Sequence, residues 1–211
     1  MILQTILNFF IHLDANLGMI ISSYGLWTYP ILFFIIFAET GLVIMPILPG
    51  DSLIFAAGAL SGQGYLDLFL LFVLLSAAAI IGDTINYAIG SYLGPRVFKE
   101  ESKFFKREYL WKTQQFYNDH GGKTIILARF MPIIRTFAPF VAGVGRMEYM
   151  RFLGFNIIGG LLWVAVNLFA GYFFGGLPFV KDHFSIVIIM IVLISMSPLV
   201  WEYIKHKLKK Y

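Results

Sequence analysis

The chain has 211 residues, 59% of them hydrophobic and 13% charged, with a mean hydropathy of +0.78. A soluble domain carries about 25% charged residues, so this composition excludes a water-surrounded globule and implies one integral membrane domain. There is no cysteine, and the four histidines stand far apart at 12, 120, 183 and 206. Disulfides, thiolate chemistry and the usual metal-ligand spacings therefore have no candidates, and no metal, cofactor or nucleic acid is expected.

In chain order, residues 1–26 form an N-terminal amphipathic or membrane helix. Gln4, Asn8, His12, Asp14 and Asn16 are scattered through apolar sequence, which suits an interfacial helix at least as well as a span. No early Lys or Arg and no small-residue cleavage site are present, so a cleaved signal peptide is not expected. Residues 27–94 make a first repeat containing a broken, re-entrant segment over 30–60 and a long apolar span over 66–94. Residues 95–123 are a basic, amphipathic cytoplasmic region. A second repeat over 124–177 contains a re-entrant segment at 124–145 and a long span over 152–177, and 184–211 is a last transmembrane helix with a basic tail. A full span needs about 20 apolar residues.

The charge distribution sets the expected orientation. No Lys or Arg precedes Arg96; basic residues then cluster between Arg96 and Lys123 and again from Lys205 to Lys210. Cytoplasmic loops are the ones enriched in Lys and Arg, so both clusters are expected in the cytoplasm. An even number of crossings must separate them. The runs 152–177 and 184–203 supply two, which leaves 124–145 to enter and leave from one side, and the matching 30–60 segment to dip in from the other.

The two repeats carry the same order of features with opposite charges. The first reads Glu39, Pro46, Pro49, Gly50, Asp51, then Ala-Ala-Gly ending at Gly58, a long span and Gly90-xxx-Gly94. The second reads Arg129, Pro132, Arg135, Pro139, then Val-Ala-Gly ending at Gly143, a long span and Gly171-xxx-Gly175. Proline removes a backbone donor and interrupts a helix, so Pro46, Pro49, Gly50, Pro132 and Pro139 are the expected helix breaks. Pro- and Gly-broken segments in corresponding positions are the pattern of inverted-repeat transporters, with the substrate site where the breaks meet. The expected fold class is thus all-α integral membrane, with two broken re-entrant hairpins and several transmembrane helices. The Gly-xxx-Gly pairs, including Gly58-xxx-Gly62, are read as close helix packing, and "HGGKT" at 120–124 as the turn into the second re-entrant segment.

Placing a charged side chain at mid-bilayer costs roughly 2.5–3.5 kcal/mol on insertion scales, so Glu39, Asp51, Arg129 and Arg135 are expected to face one another or a wet cavity. A network that only locks the two halves together is the plainer alternative. Flanking a helix break favours the functional one. Two arginines offer a phosphate planar, bidentate donors that lysine does not reproduce, and helix N-termini at the breaks add backbone donors. The carboxylates suit proton handling, because burial favours the protonated acid and a neighbouring arginine the ionised one. Asp83 and Asn156 are additional polar candidates. Asp83 is either a third proton site or a polar contact holding a re-entrant loop.

At these residues the chain resembles the DedA membrane proteins, related to eukaryotic proteins with a VTT domain. The resemblance rests on Glu39 with "PILPGD" at 46–51, "AAG" at 56–58, "GDTINYAIGSYLG" at 82–94 and "ARFMPIIRTFAPFVAGVGRM" at 128–147, followed by Phe152, Asn156 and Trp163. It implies that Glu39, Asp51, Arg129 and Arg135 form the essential charged set. It further implies return of undecaprenyl phosphate across the bacterial cytoplasmic membrane, dependent on the proton motive force. The expected partners are a polyprenyl phosphate or other anionic lipid and H⁺, with Na⁺ and a homodimeric state left open. The alternatives are a phospholipid scramblase, a non-transporting assembly factor and a membrane-embedded lipid phosphatase. The phosphatase lacks a nucleophile, since no histidine lies near the arginine pair, so no catalytic residue is expected.

Overall fold

The computed structural model describes residues 25–42, 50–97, 121–131, 134–175 and 177. The expectations for the N-terminal segment, for the basic stretch at 98–120, for the last transmembrane run and for Pro46, Pro49 and Pro132 lie outside the described residues. Among those described there is no strand. After a short 3₁₀ turn at Gly25–Trp27 come six helices: α1 Thr28–Gly41, α2 Gly50–Gly62, α3 Leu68–Val97, α4 Lys123–Ala128, α5 Ile134–Val144 and α6 Tyr149–Gly175.

Length separates these helices into two kinds. Within α3 and α6, Leu68–Gly94 and Tyr149–Gly175 are 27-residue apolar stretches with mean hydropathy 2.3 and 1.9. At 1.5 Å per residue each reaches about 40 Å, more than the roughly 30 Å of bilayer hydrocarbon. Only 39% and 33% of their apolar windows are buried, whereas the core helix of a soluble protein would be mostly covered. Phe69, Val73, Val166 and Phe173 are among the side chains left exposed, as lipid contact requires. By contrast α1, α2, α4 and α5 have 14, 13, 6 and 11 residues, so at about 1.5 Å per residue none is long enough to cross alone.

The chain divides into two compact units. One takes the described residues within Met1–Phe33, Pro49–Leu75 and Val164–Tyr211; the other takes those within Phe34–Leu48 and Ser76–Trp163. In the first unit, α2 packs on the C-terminal half of α6 through glycine. A Cβ on Gly58 would overlap the Leu168 carbonyl and lie 3.0 Å from the Tyr172 nitrogen, and one on Gly171 would overlap the Phe55 carbonyl. Phe72 and Phe169 add a ring contact at 6.0 Å between centroids. The start of α3 is fixed by Asp67, whose Oδ1 accepts from the Leu70 N–H at 2.7 Å while its own N–H donates to the Tyr29 hydroxyl at 2.8 Å. That is an N-cap, which satisfies one of the donors a helix start leaves open.

In the second unit, α5 packs on α3 by the same device. A Cβ on Gly90 would overlap the Phe140 carbonyl, and one on Gly143 would overlap the Tyr87 carbonyl and lie 2.7 Å from the Ser91 nitrogen. The register matches that of the first unit. Phe55 and Gly58 answer Leu168 and Gly171 there as Phe140 and Gly143 answer Tyr87 and Gly90 here, each glycine three positions after the carbonyl it accompanies. Around this contact Tyr87, Ile125, Ala128, Ala138, Ala142, Met147 and Phe152 form the core. The Tyr87 ring stacks on Phe152 at 4.5 Å, and its hydroxyl donates to the Met147 carbonyl.

The helix break in this unit is a tight one. Gly121, at φ +65°, turns the chain into α4 as expected for "HGGKT". At its end the N–H groups of Arg129 and Met131 donate to Ile126 and Ala128 at 3.3 and 3.0 Å. The ladder of α5 resumes with the Arg135 N–H on the Met131 carbonyl at 3.0 Å. Pro139, expected as a helix break, instead lies inside α5. The carbonyl it fails to serve is that of Arg135, in the first turn, so the helix loses one bond near its start rather than breaking in two.

These glycine contacts make a direct stability prediction. Gly90→Ala and Gly171→Ala should each lower stability in detergent by about 1–3 kcal/mol, the usual cost of overpacking against atoms that cannot move. Gly154→Ala, where no atom lies within 4 Å of an added Cβ, serves as the control. Equal melting temperatures for all three variants would contradict the packing described.

Candidate functional site

The polar residues of the second unit converge at its helix break. Glu39 and Thr40 come from the last turn of α1, Asp83 and Asn86 from the middle of α3, and Arg129 follows α4 directly. Arg135 and Thr136 open α5, while Asn156 and Trp163 project from α6. All nine are buried, with Glu39, Asn86 and Asn156 at 0% exposure. The approach of α1 to α3 depends on Gly41 and Gly82, because a Cβ on Gly82 would overlap Thr40 Oγ1 and come within 3.0 Å of the Gly41 nitrogen.

Two ion pairs result. Arg129 Nη2 donates to Asp83 Oδ2 at 2.5 Å and to Asn156 Oδ1, with the Ala79 carbonyl at 3.5 Å. Asn156 is itself held by Nδ2 donating to the Ile80 carbonyl at 3.0 Å and to Thr84 Oγ1 at 3.3 Å. Room for the Arg129 side chain comes from paired glycines in α6, since a Cβ on Gly159 would sit 3.1 Å from Arg129 Cδ. The second pair joins Arg135 to Glu39, and the Arg135 guanidinium lies 5.0 Å from the centroid of the Trp163 ring, a cation–π arrangement.

Between the pairs is a small cavity lined by Thr40, Asp83, Arg129, Arg135, Thr136 and Trp163, with about 10 Å³ of free room. That admits roughly one water molecule. Arg129 Nε is buried and has no hydrogen-bond acceptor among the described residues. An unmade buried hydrogen bond costs about 1–3 kcal/mol, so a donor remains on offer to an oxygen placed beside it.

Of the four charges singled out in the sequence, Glu39, Arg129 and Arg135 meet in this unit. Asp51 lies in the other, part-exposed in the first turn of α2. The acid opposite Arg129 is Asp83, in contact with a residue that closes α4, and Asn156 is the amide that completes the grip. Asn86 was missed by the sequence reading. Its Nδ2 donates to the carbonyls of Thr40 at 3.2 Å and Thr136 at 2.7 Å. A signal for it was present: Asn86-xxx-Gly90-xxx-Gly94 in α3 recurs as Asn167-xxx-Gly171-xxx-Gly175 in α6. Among the described residues no group of three or more His, Cys, Asp or Glu side chains is placed to hold a metal.

Fold and site together define an all-helical membrane protein with paired charges buried inside it. Residues 48–173 match the VTT domain family, and the chain belongs to that family, the one that includes the DedA proteins. It is 52% identical over 205 residues to protein DedA of Escherichia coli K12, covering 96% of this chain and 94% of that one. An uncharacterized membrane protein of Mycobacterium leprae is 46% identical over 165 residues, covering 78% of this chain and 74% of that protein. The E. coli inner membrane protein YghB is 34% identical over 170 residues, covering 80% of this chain and 78% of that protein. No solved structure matches the chain.

Breaking one buried pair should cost far more than removing it whole. Asp83→Ala should destabilise the protein by about 3–5 kcal/mol, because Arg129 is left buried without its counter-charge, and adding Arg129→Met should recover most of the loss. Denaturation of the single and double variants in detergent measures this; purely additive losses would contradict the pairing.

Proposed function

We propose that this protein is a membrane transporter that moves a phosphate-headed lipid across the bilayer, with undecaprenyl phosphate as the specific substrate, coupled to protons. The observation that carries the reading is the pair of buried arginines, each held by a carboxylate, lining one cavity. Arginine presents a planar set of donors suited to two phosphate oxygens at once. The cavity between the pairs has space for about one water, so a phosphate enters only as the carboxylates release the guanidinium groups. A buried carboxylate that has lost its cation binds a proton, because the charged form is then disfavoured. Phosphate binding and proton uptake thereby become one event. A lipid suits such a protein: its head can pass a polar chamber while its tail stays in the bilayer.

Glu39 and Asp83 are the carboxylates released in this cycle, and Asp51 is assigned a proton-handling role at the start of α2. The short helices either side of each break are read as two re-entrant hairpins of an inverted repeat, with the basic regions in the cytoplasm. The matched glycine registers of α2 with α6 and of α5 with α3, together with the lengths of α1, α2, α4 and α5, support this. The names of the relatives, a DedA protein and inner membrane proteins, fit a bacterial cytoplasmic membrane location.

The test is transbilayer movement of a labelled polyprenyl phosphate by purified protein in liposomes, with and without a pH gradient. Arg129→Lys and Arg135→Lys keep the charge but lose the planar fork, and should lower the rate about tenfold or more. Glu39→Gln and Asp51→Asn should transport without the stimulation by a pH gradient, or not at all, while remaining folded. Full gradient-dependent transport by all four variants would reject the reading, and sustained phosphate release would replace it with a phosphatase.

A further inference from the structure

The Glu39–Arg135 pair joins residues from α1 and α5, and nothing in either helix alone fixes their separation. One buried side chain on α3 touches both. Asn86, fully buried, uses its two amide hydrogens on two carbonyls, those of Thr40 and Thr136. Thr40 is the residue after Glu39 and Thr136 the residue after Arg135. The Thr40 carbonyl is in the last turn of α1, where carbonyls have no helical partner of their own. The residue type follows from the geometry: two acceptors require an NH₂ group, and a carboxylate of the same size would set its charge against two carbonyl oxygens.

We infer that Asn86 is a positioning residue, a strut that sets the separation of the helix ends carrying Glu39 and Arg135 and so the geometry in which Arg135 meets the substrate phosphate. The inference rests on the transporter reading for its functional half only. Asn86 touches neither charged group; it acts through the two backbones. Glu39 and Arg135 sit at helix ends whose approach to α3 includes the Gly41–Gly82 contact, and Asn86 is a side chain of α3 that hydrogen-bonds to both ends.

The chain has no cysteine of its own, so spin labels can be placed by cysteine substitution at Leu42 and Phe137, both exposed and close to the two helix ends. In full-length protein, Asn86→Leu removes both bonds and should broaden the spread of label distances seen by electron paramagnetic resonance. In liposomes with labelled polyprenyl phosphate it should raise the half-saturating lipid concentration about tenfold, the scale of two lost hydrogen bonds, with a smaller effect on the maximal rate per folded protein. Asn86→Asp, which keeps the volume, should do both to at least the same degree and serves if the leucine variant does not fold. An unchanged distance spread overturns the inference, and so does a broadened spread with half-saturation within about twofold of the wild type. If the unsubstituted protein moves no lipid, the proposed function fails, and the label distances alone then decide whether Asn86 is a strut.

Discussion

Opposite charges buried where water is scarce must find each other, and the second unit is built around that requirement. Removing an ion from water costs several kcal/mol even after the surroundings relax, and this unit holds two guanidinium groups and two carboxylates at 0–7% exposure. Each arginine is matched by one acid, Arg129 with Asp83 and Arg135 with Glu39. The amide of Asn156 and the face of Trp163 take up part of what the acids leave. Well-packed apolar residues would fill the same space at no electrostatic cost. Charges maintained at such expense are better explained by exchange of partners than by stability, and an incoming phosphate is the partner that two arginines suit.

The backbone serves the same end. A helix of 11 or 14 residues exposes its end groups well inside a bilayer-sized span, and those groups need partners. Asn86 supplies one to the end of α1, and the turn from Ile126 to Met131 closes the end of α4. Glycine lets the short helices press directly on the backbones of α3 and α6. A carbonyl overlapped by any added Cβ at Gly58 and Gly171 in the first unit, and at Gly90 and Gly143 in the second, leaves no slack at these contacts.

Much of this was legible in the sequence, and the reasons are local ones. The apolar runs at 66–94 and 152–177 became α3 and α6 because length and hydropathy are properties of a continuous stretch. Close packing follows from the Gly-xxx-Gly pairs, whose missing side chains leave room for a neighbouring backbone. Pro139 was misleading, since its effect depends on where the helix begins: five residues into α5 it removes a single bond. That buried charges would face one another was legible, but which acid meets which arginine was not. Arg129 meets an acid 46 positions away and Arg135 one 96 positions away, and composition carries no signal that Asp83 rather than Asp51 should stand opposite Arg129. For Asn86 the repeated Asn-xxx-Gly-xxx-Gly pattern marks the position but not the role, because its partners are backbone carbonyls, which leave no mark in the residue types.

The central claim is that phosphate and carboxylate compete for the same guanidinium groups. Its most direct test is proton uptake on binding, followed with a pH-sensitive dye as a polyprenyl phosphate is added to the purified protein in weakly buffered detergent. The account predicts that wild-type protein takes up protons in proportion to lipid bound, and that Glu39→Gln combined with Asp83→Asn binds lipid without uptake. Binding by the wild type with no proton uptake, or identical uptake by the double variant, would contradict it.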